Sequence, residues 1–202
     1  EAGLALFQRV LAGIDAARAA GYDPDQGALK FNAVIQRGRN DDQLIPLARL
    51  ARQQRMELRL IEYMDVGNRN GWCLDQGMPA KEMIESLNDQ WPLQPFGRPV
   101  GGTSRQWTYV DGGGKVGTIA SITDPFCSDC NRLRIAADGQ AFTCLFASRG
   151  NDLRNWLHQD VPDSVLKQVM AELWLGRMDR FSEERGASQA TNQHAEMAYL
   201  GG

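Results

Sequence analysis

The sequence predicts an α/β protein: a parallel sheet or barrel, followed by a segment of different texture that carries a set of cysteines. Three observations predict this. Helical and extended patterns alternate with short connections through the first ninety or so residues, the signature of parallel β/α architecture. Residues 95–121 then hold seven glycines from Gly97 onward and read as short antiparallel strands. Beyond them Cys127 and Cys130 form a CxxC pair, and thirteen residues separate Cys130 from Cys144.

In chain order, Leu4, Phe7, Val10, Leu11 and Ile14 share one helical face, and Gly21 is placed to end that helix. Residues 28–36 (ALKFNAVIQ) read as a buried strand, with turn residues from Arg37 to Asn40. Asn40 or Asp41 is expected to cap a second helix with Leu44, Leu47, Leu50 and Ala51 inward. Residues 57–64 (ELRLIEYM) form the next strand, broken by Gly67, Asn68 and Gly71, and a helix runs from about Pro79 to Leu87. The DGGGK stretch lacks the GKS/T ending and following helix of a phosphate loop, so it is expected to be a plain hairpin turn. Residues 150–158 and 162–175 read as helical, and the end of the chain is polar and weakly patterned. The expected division is 1–95 and 96–202.

With 43% hydrophobic and 23% charged residues the chain can bury a core, and a formal net charge of −3 excludes a dedicated nucleic-acid binder. Only four of its 22 basic residues are lysines (Lys30, Lys81, Lys115, Lys167). Arginine offers a planar fork that meets phosphate or carboxylate with two hydrogen bonds at once. No run of about 18 apolar residues is present, so no membrane span is expected. The N-terminal helix has neither the basic start nor the cleavage site of a targeting peptide. A cytoplasmic location follows, and the CxxC pair suits a reducing compartment. The chain opens inside a helix without an initiator methionine, and so reads as part of a longer protein.

Three chemistries fit the cysteines. A thioredoxin-like disulfide would need a helix after the CxxC, whereas two extended stretches about a DG turn follow it. Structural zinc wants four closed ligands, and only Cys73 could supply the fourth, with His158 and His194 in unpromising contexts. An iron–sulfur cluster accepts three thiolates and leaves one iron open. Arg132 and Arg134 follow at once and, on an extended strand, project to one side. Two guanidinium groups there suit either an anionic substrate or simple neutralisation of the thiolates.

The segment FCSDCNRLRIAADGQAFTCLF closely resembles the C-terminal cluster motif of the GTP 3′,8-cyclase family, radical S-adenosylmethionine enzymes that begin molybdenum-cofactor biosynthesis. GIDAARAAGY, LKFNAVIQRGRNDDQ, LRLIEYMDVG and the terminal glycine pair agree in order and spacing, so the resemblance covers about Leu4 to Gly202. It implies the C-terminal part of an incomplete TIM-type barrel, closed by a C-terminal cluster-binding segment. It also implies conversion of GTP to 3′,8-cyclo-7,8-dihydro-GTP, with GTP and S-adenosylmethionine as partners, a homodimer admitted, and neither nucleic acid nor membrane involved. By this resemblance Cys127, Cys130 and Cys144 match the ligands of a substrate-binding [4Fe–4S] cluster. Lys30, Arg132, Leu133 and Arg134 match GTP contacts, and Met64 matches an S-adenosylmethionine contact. Arg59, Gly201 and Gly202 match residues at the catalytic cavity; Arg59 lies in an apolar strand and needs a partner, with Glu57 or Glu62 in reach. The family's radical-generating cluster sits on a CxxxCxxC absent from these 202 residues, so this stretch is expected not to turn over by itself. A zinc-stabilised nucleotide-binding module without catalysis is the alternative.

Overall fold

A computed structural model describes residues 2–69, 71–185 and 194–200. The chain divides into two compact units, each assembled from separate stretches. The first comprises Glu1–Tyr63, Asp75–Pro99 and Thr103–Thr123, the second Met64–Leu74, Val100–Gly102 and Asp124–Gly202. The expected 95/96 boundary falls inside the third strand of the first unit.

The first unit is built on a five-stranded sheet in the order β1-β2-β5-β4-β3. Strand β1 (Lys30–Ile35) runs parallel to β2 (Glu57–Glu62), and β2 parallel to β5 (Lys115–Ile119). Helix α2 (Leu44–Gln53) makes the connection from β1 to β2. The remaining strands, β3 (Leu93–Gly97) and β4 (Arg105–Tyr109), continue the sheet antiparallel. The α/β expectation therefore holds, as a mixed sheet. The glycine-rich hairpin joins that sheet because Val116 and Thr118 are buried beside β2 while the DGGGK residues only turn the chain. Asp111 accepts the Gly113 N–H at 2.9 Å, an Asx-type brace within a plain turn.

Helices α2 and α3 (Ala80–Gln90) supply Leu44, Ala48, Ala51, Met83 and Leu87 to a core shared with Ile35, Leu58, Leu60, Tyr109 and Val116. The expected cap of α2 is not formed. Asn40 instead accepts the Gln36 N–H at 2.8 Å and donates to the Val34 carbonyl at 2.9 Å, while Asp41 accepts from Gly38, so both side chains stitch the turn back to β1. Helix α1 (Ala2–Ala19) ends at Gly21 (φ 93°) as expected, but only Ile14 of its apolar face is buried. Leu4 and Val10 stay 64% and 51% exposed, because among the described residues nothing packs over the first turns.

The second unit carries a three-stranded sheet of β6 (Arg134–Ile135), β7 (Gln140–Phe142) and β8 (Asn151–Asp152), then α4 (Asp163–Leu175) and α5 (Phe181–Glu184). The helix expected over 150–158 is replaced by β8 and a 3₁₀ turn at Arg154–Trp156. Asp152 captures Arg154 locally, and Leu153 alone of that stretch is buried, so no helical apolar stripe exists to be covered. No described helix is long and apolar enough to cross a membrane.

One polar group organises the first unit. Alternation along β2 buries Leu58, Leu60 and finally Glu62, which is 2% exposed. Its carboxylate accepts the N–H groups of Ala80 and Ile122 at 2.8 Å and of Thr123 at 3.0 Å, together with the Thr123 hydroxyl. Pro79 gives α3 no side-chain cap, so Glu62 satisfies the first donor of that helix. Replacing Glu62 by alanine would orphan the buried Ala80 amide at about 1–3 kcal/mol and unpair the partly buried donors of Ile122 and Thr123. Urea unfolding of Glu62→Ala is therefore expected to show a loss of at least about 1 kcal/mol; an unchanged midpoint would refute the role assigned to the carboxylate.

Candidate metal centre and substrate-binding residues

In the second unit the chain leaves buried Phe126 and makes a single 3₁₀ turn over Cys127–Asp129. Within the turn the Cys130 N–H reaches the Cys127 carbonyl at 3.3 Å. Cys127, Cys130 and Cys144 are all half-buried, whereas Cys73 is exposed. Cys144 lies just past β7, where the Phe146 N–H points at its sulfur from 3.5 Å. The β6–β7 hairpin about Gly139 (φ 83°) thus returns the chain from the CxxC to the third cysteine, as the DG turn predicts.

The thiols are electrostatically distinct. Burial works against ionisation of Cys130, but hydrogen bonds from the Arg132 backbone and guanidinium and the charges of Arg132 and Arg177 outweigh it, so its pKa lies below the ordinary thiol value. The Arg132 Nε–H points at the Cys130 sulfur from 3.4 Å, with the guanidinium 5.2 Å over the Phe126 ring. Burial pushes the Cys144 thiol up, partly offset by the Phe146 N–H, while Asp179, Cys127 and Cys130 push it further. Burial and the like charge of Arg132 lower the Arg134 pKa, against an opposite pull from Cys130 and Cys144. The three cysteines and two arginines are therefore close enough to feel one another.

Among the described residues no three His, Cys, Asp or Glu side chains converge tightly enough to hold a single metal ion. A four-iron cluster places each thiolate on its own iron, so its ligands surround a larger body. Three half-buried thiols beside two guanidinium groups fit that donor chemistry. Leu133 is half-buried between the arginines, and Met64 is half-buried at the start of the 64–74 loop of the same unit. Asn131 packs against Gly101 (φ 68°), whose hypothetical Cβ would come within 2.6 Å of the Asn131 amide nitrogen. Gly201 and Gly202 lie outside the described residues.

The first unit holds the other two predicted residues. Lys30 is exposed at the start of β1. Arg59 has found its partner in Glu57: Nε donates to Oε1 at 2.8 Å, with the side chains 25% and 10% exposed. Gln106 donates to the same oxygen at 3.0 Å. Glu62 lies on the opposite face and is committed elsewhere. Gly117, in register with Arg59, leaves room for the Ser104 hydroxyl, which a Cβ there would overlap.

Residues 56–183 match the family described as Molybdenum Cofactor Synthesis C. The chain belongs to that family. Within its wider kinship, the GTP 3′,8-cyclase of Synechococcus sp. (strain CC9605) is 62% identical over 201 residues, covering 100% of this chain and 57% of the relative. The protein of the same name from Synechococcus sp. (strain CC9902) is 59% identical over 202 residues, with 59% of the relative covered. That from Acidothermus cellulolyticus is 47% identical over 184 residues, covering 89% of this chain and 50% of the relative. This member of the family thus spans little more than half the length of the curated relatives it matches.

Sequence reading missed Gly101 and Gly117, because a glycine that makes space for a distant side chain looks like any other. The Glu57–Arg59 spacing is a signal that alternation could have resolved. Arg59→Ala leaves Glu57 with an uncompensated charge, so equilibrium unfolding should show a loss of about 1.5–3 kcal/mol. Adding Glu57→Gln should recover part of it, and strictly additive losses would deny the pairing.

Proposed function

We propose that this chain is the C-terminal part of a GTP 3′,8-cyclase, an enzyme of molybdenum-cofactor biosynthesis acting in the cytoplasm. The reaction is conversion of GTP to (8S)-3′,8-cyclo-7,8-dihydroguanosine 5′-triphosphate by radical S-adenosylmethionine chemistry. The observation that supports the reading is the Arg132 Nε–H directed at the Cys130 sulfur within a set of three half-buried cysteines, in a family tied to this pathway. The parallel strands β1, β2 and β5 support the reading of an incomplete barrel. The exposed residues Lys30, Asn32 and Val34 along β1, with α1's exposed apolar face, are surface that further β/α units of a longer chain would cover.

In this reading Cys127, Cys130 and Cys144 hold a [4Fe–4S] cluster, which when bound supplies an iron open to the purine. Lowering of the Cys130 pKa by Arg132 favours the thiolate that iron binds. Arg132 and Arg134 offer forked donors to an anionic substrate, and Leu133 packs beside it. Lys30 adds a cation for GTP, Met64 packs on S-adenosylmethionine, and Arg59 serves the substrate cavity. Gly201 and Gly202 approach it by bare backbone. The second cluster belongs to the part of the relatives beyond this chain.

Replacing Cys127, Cys130 and Cys144 together by serine in the full-length protein should remove about four irons per chain after anaerobic reconstitution, while Cys73→Ser should remove none. A colourless protein that holds one zinc, lost on replacing Cys73, would establish the zinc module instead. Arg132→Ala and Arg134→Ala should each weaken GTP binding by about 1.5–3 kcal/mol per lost charged hydrogen bond. Unchanged affinity in both would remove them from the substrate site.

A further inference from the structure

The CxxC turn has almost nothing of its own to hold its shape. Its internal tie is the 3.3 Å contact from the Cys130 N–H to the Cys127 carbonyl, at the long end of a hydrogen bond. The Asp129 N–H adds a bond to the Phe126 carbonyl at 3.2 Å, and a single stretch just past α4 supplies the side-chain bonds to the turn's backbone. Arg177 Nη1 donates to the Cys130 carbonyl at 2.7 Å and Nη2 to the Cys127 carbonyl at 2.5 Å. Six residues on, Glu183 Oε1 accepts the Ser128 N–H at 3.3 Å. The clamp therefore touches three of the four residues of Cys-Ser-Asp-Cys, always through the backbone, and leaves both sulfurs free.

Arg177 is itself held. Its guanidinium lies 4.7 Å over the Trp174 ring, its side chain is only 12% exposed, and Asp179 stands 3.9 Å from Nε as a neighbouring charge. Glu183 is fixed through its other oxygen by Arg180 at 2.5 Å. A planar fork can bridge two carbonyls three residues apart only if the turn between them is closed. Lysine, a point donor on a flexible stem, cannot impose that spacing.

We propose that residues 177–183 form an outer clamp on the CxxC turn, with Arg177 the positioning residue that presets Cys127 and Cys130 for their metal cluster. This rests on the cluster reading given above. Setting the turn before metal arrives removes an ordering cost from binding, and keeping it set slows loss of iron. The arrangement assigns an outer role to an arginine distant in sequence from every cysteine.

The test uses the full-length protein, reconstituted anaerobically, and follows iron release to a ferrous chelator. The relevant iron is the fraction missing from the triple cysteine variant. Arg177→Gln should release that fraction about 10–100-fold faster than wild type, the usual consequence of losing an outer partner. Arg177→Lys, able to reach one carbonyl, should fall between. Metal-free Arg177→Gln should still melt in one cooperative transition, separating loss of the clamp from loss of the fold. Release at the wild-type rate from Arg177→Gln overturns the clamp. Should that variant not fold, Glu183→Ala, which leaves the Ser128 N–H no acceptor, decides: faster release supports the clamp and unchanged release refutes it. A wild-type protein whose three cysteines hold no iron overturns the cluster reading, and the clamp falls with it.

Discussion

The buried carboxylate of Glu62 is the constraint on which the rest of the first unit depends. A buried carboxyl group with 2% exposure is expensive unless its oxygens find donors, and Glu62 accepts from four. Those donors lie at the start of α3 and in the turn after β5, so one side chain ties the end of β2 to both. The covalent consequence matters more than the local energy. The residue after next is Met64, where one stretch of the second unit begins, and directly after Thr123 comes Asp124, where the cysteine segment begins. The carboxylate therefore fixes the ends of two stretches of the first unit's chain.

The two units are stabilised by different means. The first has a continuous apolar core of Ile35, Leu58, Leu60, Met83, Leu87 and their neighbours, in which side-chain burial decides register. In the second, the core cluster about Ala136, Phe142 and Leu200 is small, and polar ties do more of the holding. Asn68 donates to the His194 carbonyl at 2.6 Å and accepts the His194 N–H at 3.0 Å. Tyr199 reaches Asp138 at 2.7 Å while its ring stands edge-on to Phe142. Such a segment lacks the burial that would set a cysteine turn by itself, so it draws on the guanidinium group of Arg177 for order.

What could be read from the sequence follows the same division. The strands β1 and β2, helix α3 and the DGGGK turn were legible because apolar periodicity and turn chemistry are local. The CxxC, the third cysteine and the trailing arginines were legible because their chemistry is a matter of type and spacing. The parallel partnership of β5 with β2 was not, since strand pairing across more than fifty residues leaves no local trace. Nor was the capture of Arg154 by Asp152, which turned an expected helix into a strand end. The exposed face of α1 shows the converse: its periodicity is sound, but periodicity says only that a face is apolar, not what covers it. Arg177 was invisible for a different reason, because its partners are main-chain carbonyls and any sequence provides those.

Arginine's predominance over lysine acquires a physical sense at the cysteines. Arg132 directs its Nε–H to a sulfur, Arg177 divides its fork between two carbonyls, and Arg134 is half-buried beside a like charge that lowers its pKa. A guanidinium keeps its proton under such pressure, where a lysine ammonium would tend to give it up. Two cations crowded together at partial burial are unfavourable until anions answer them. The thiolates answer in part, through the opposite pull of Cys130 and Cys144 on Arg134. On the reading proposed here the triphosphate of the substrate supplies the rest, so the crowding of these cations contributes to affinity for GTP.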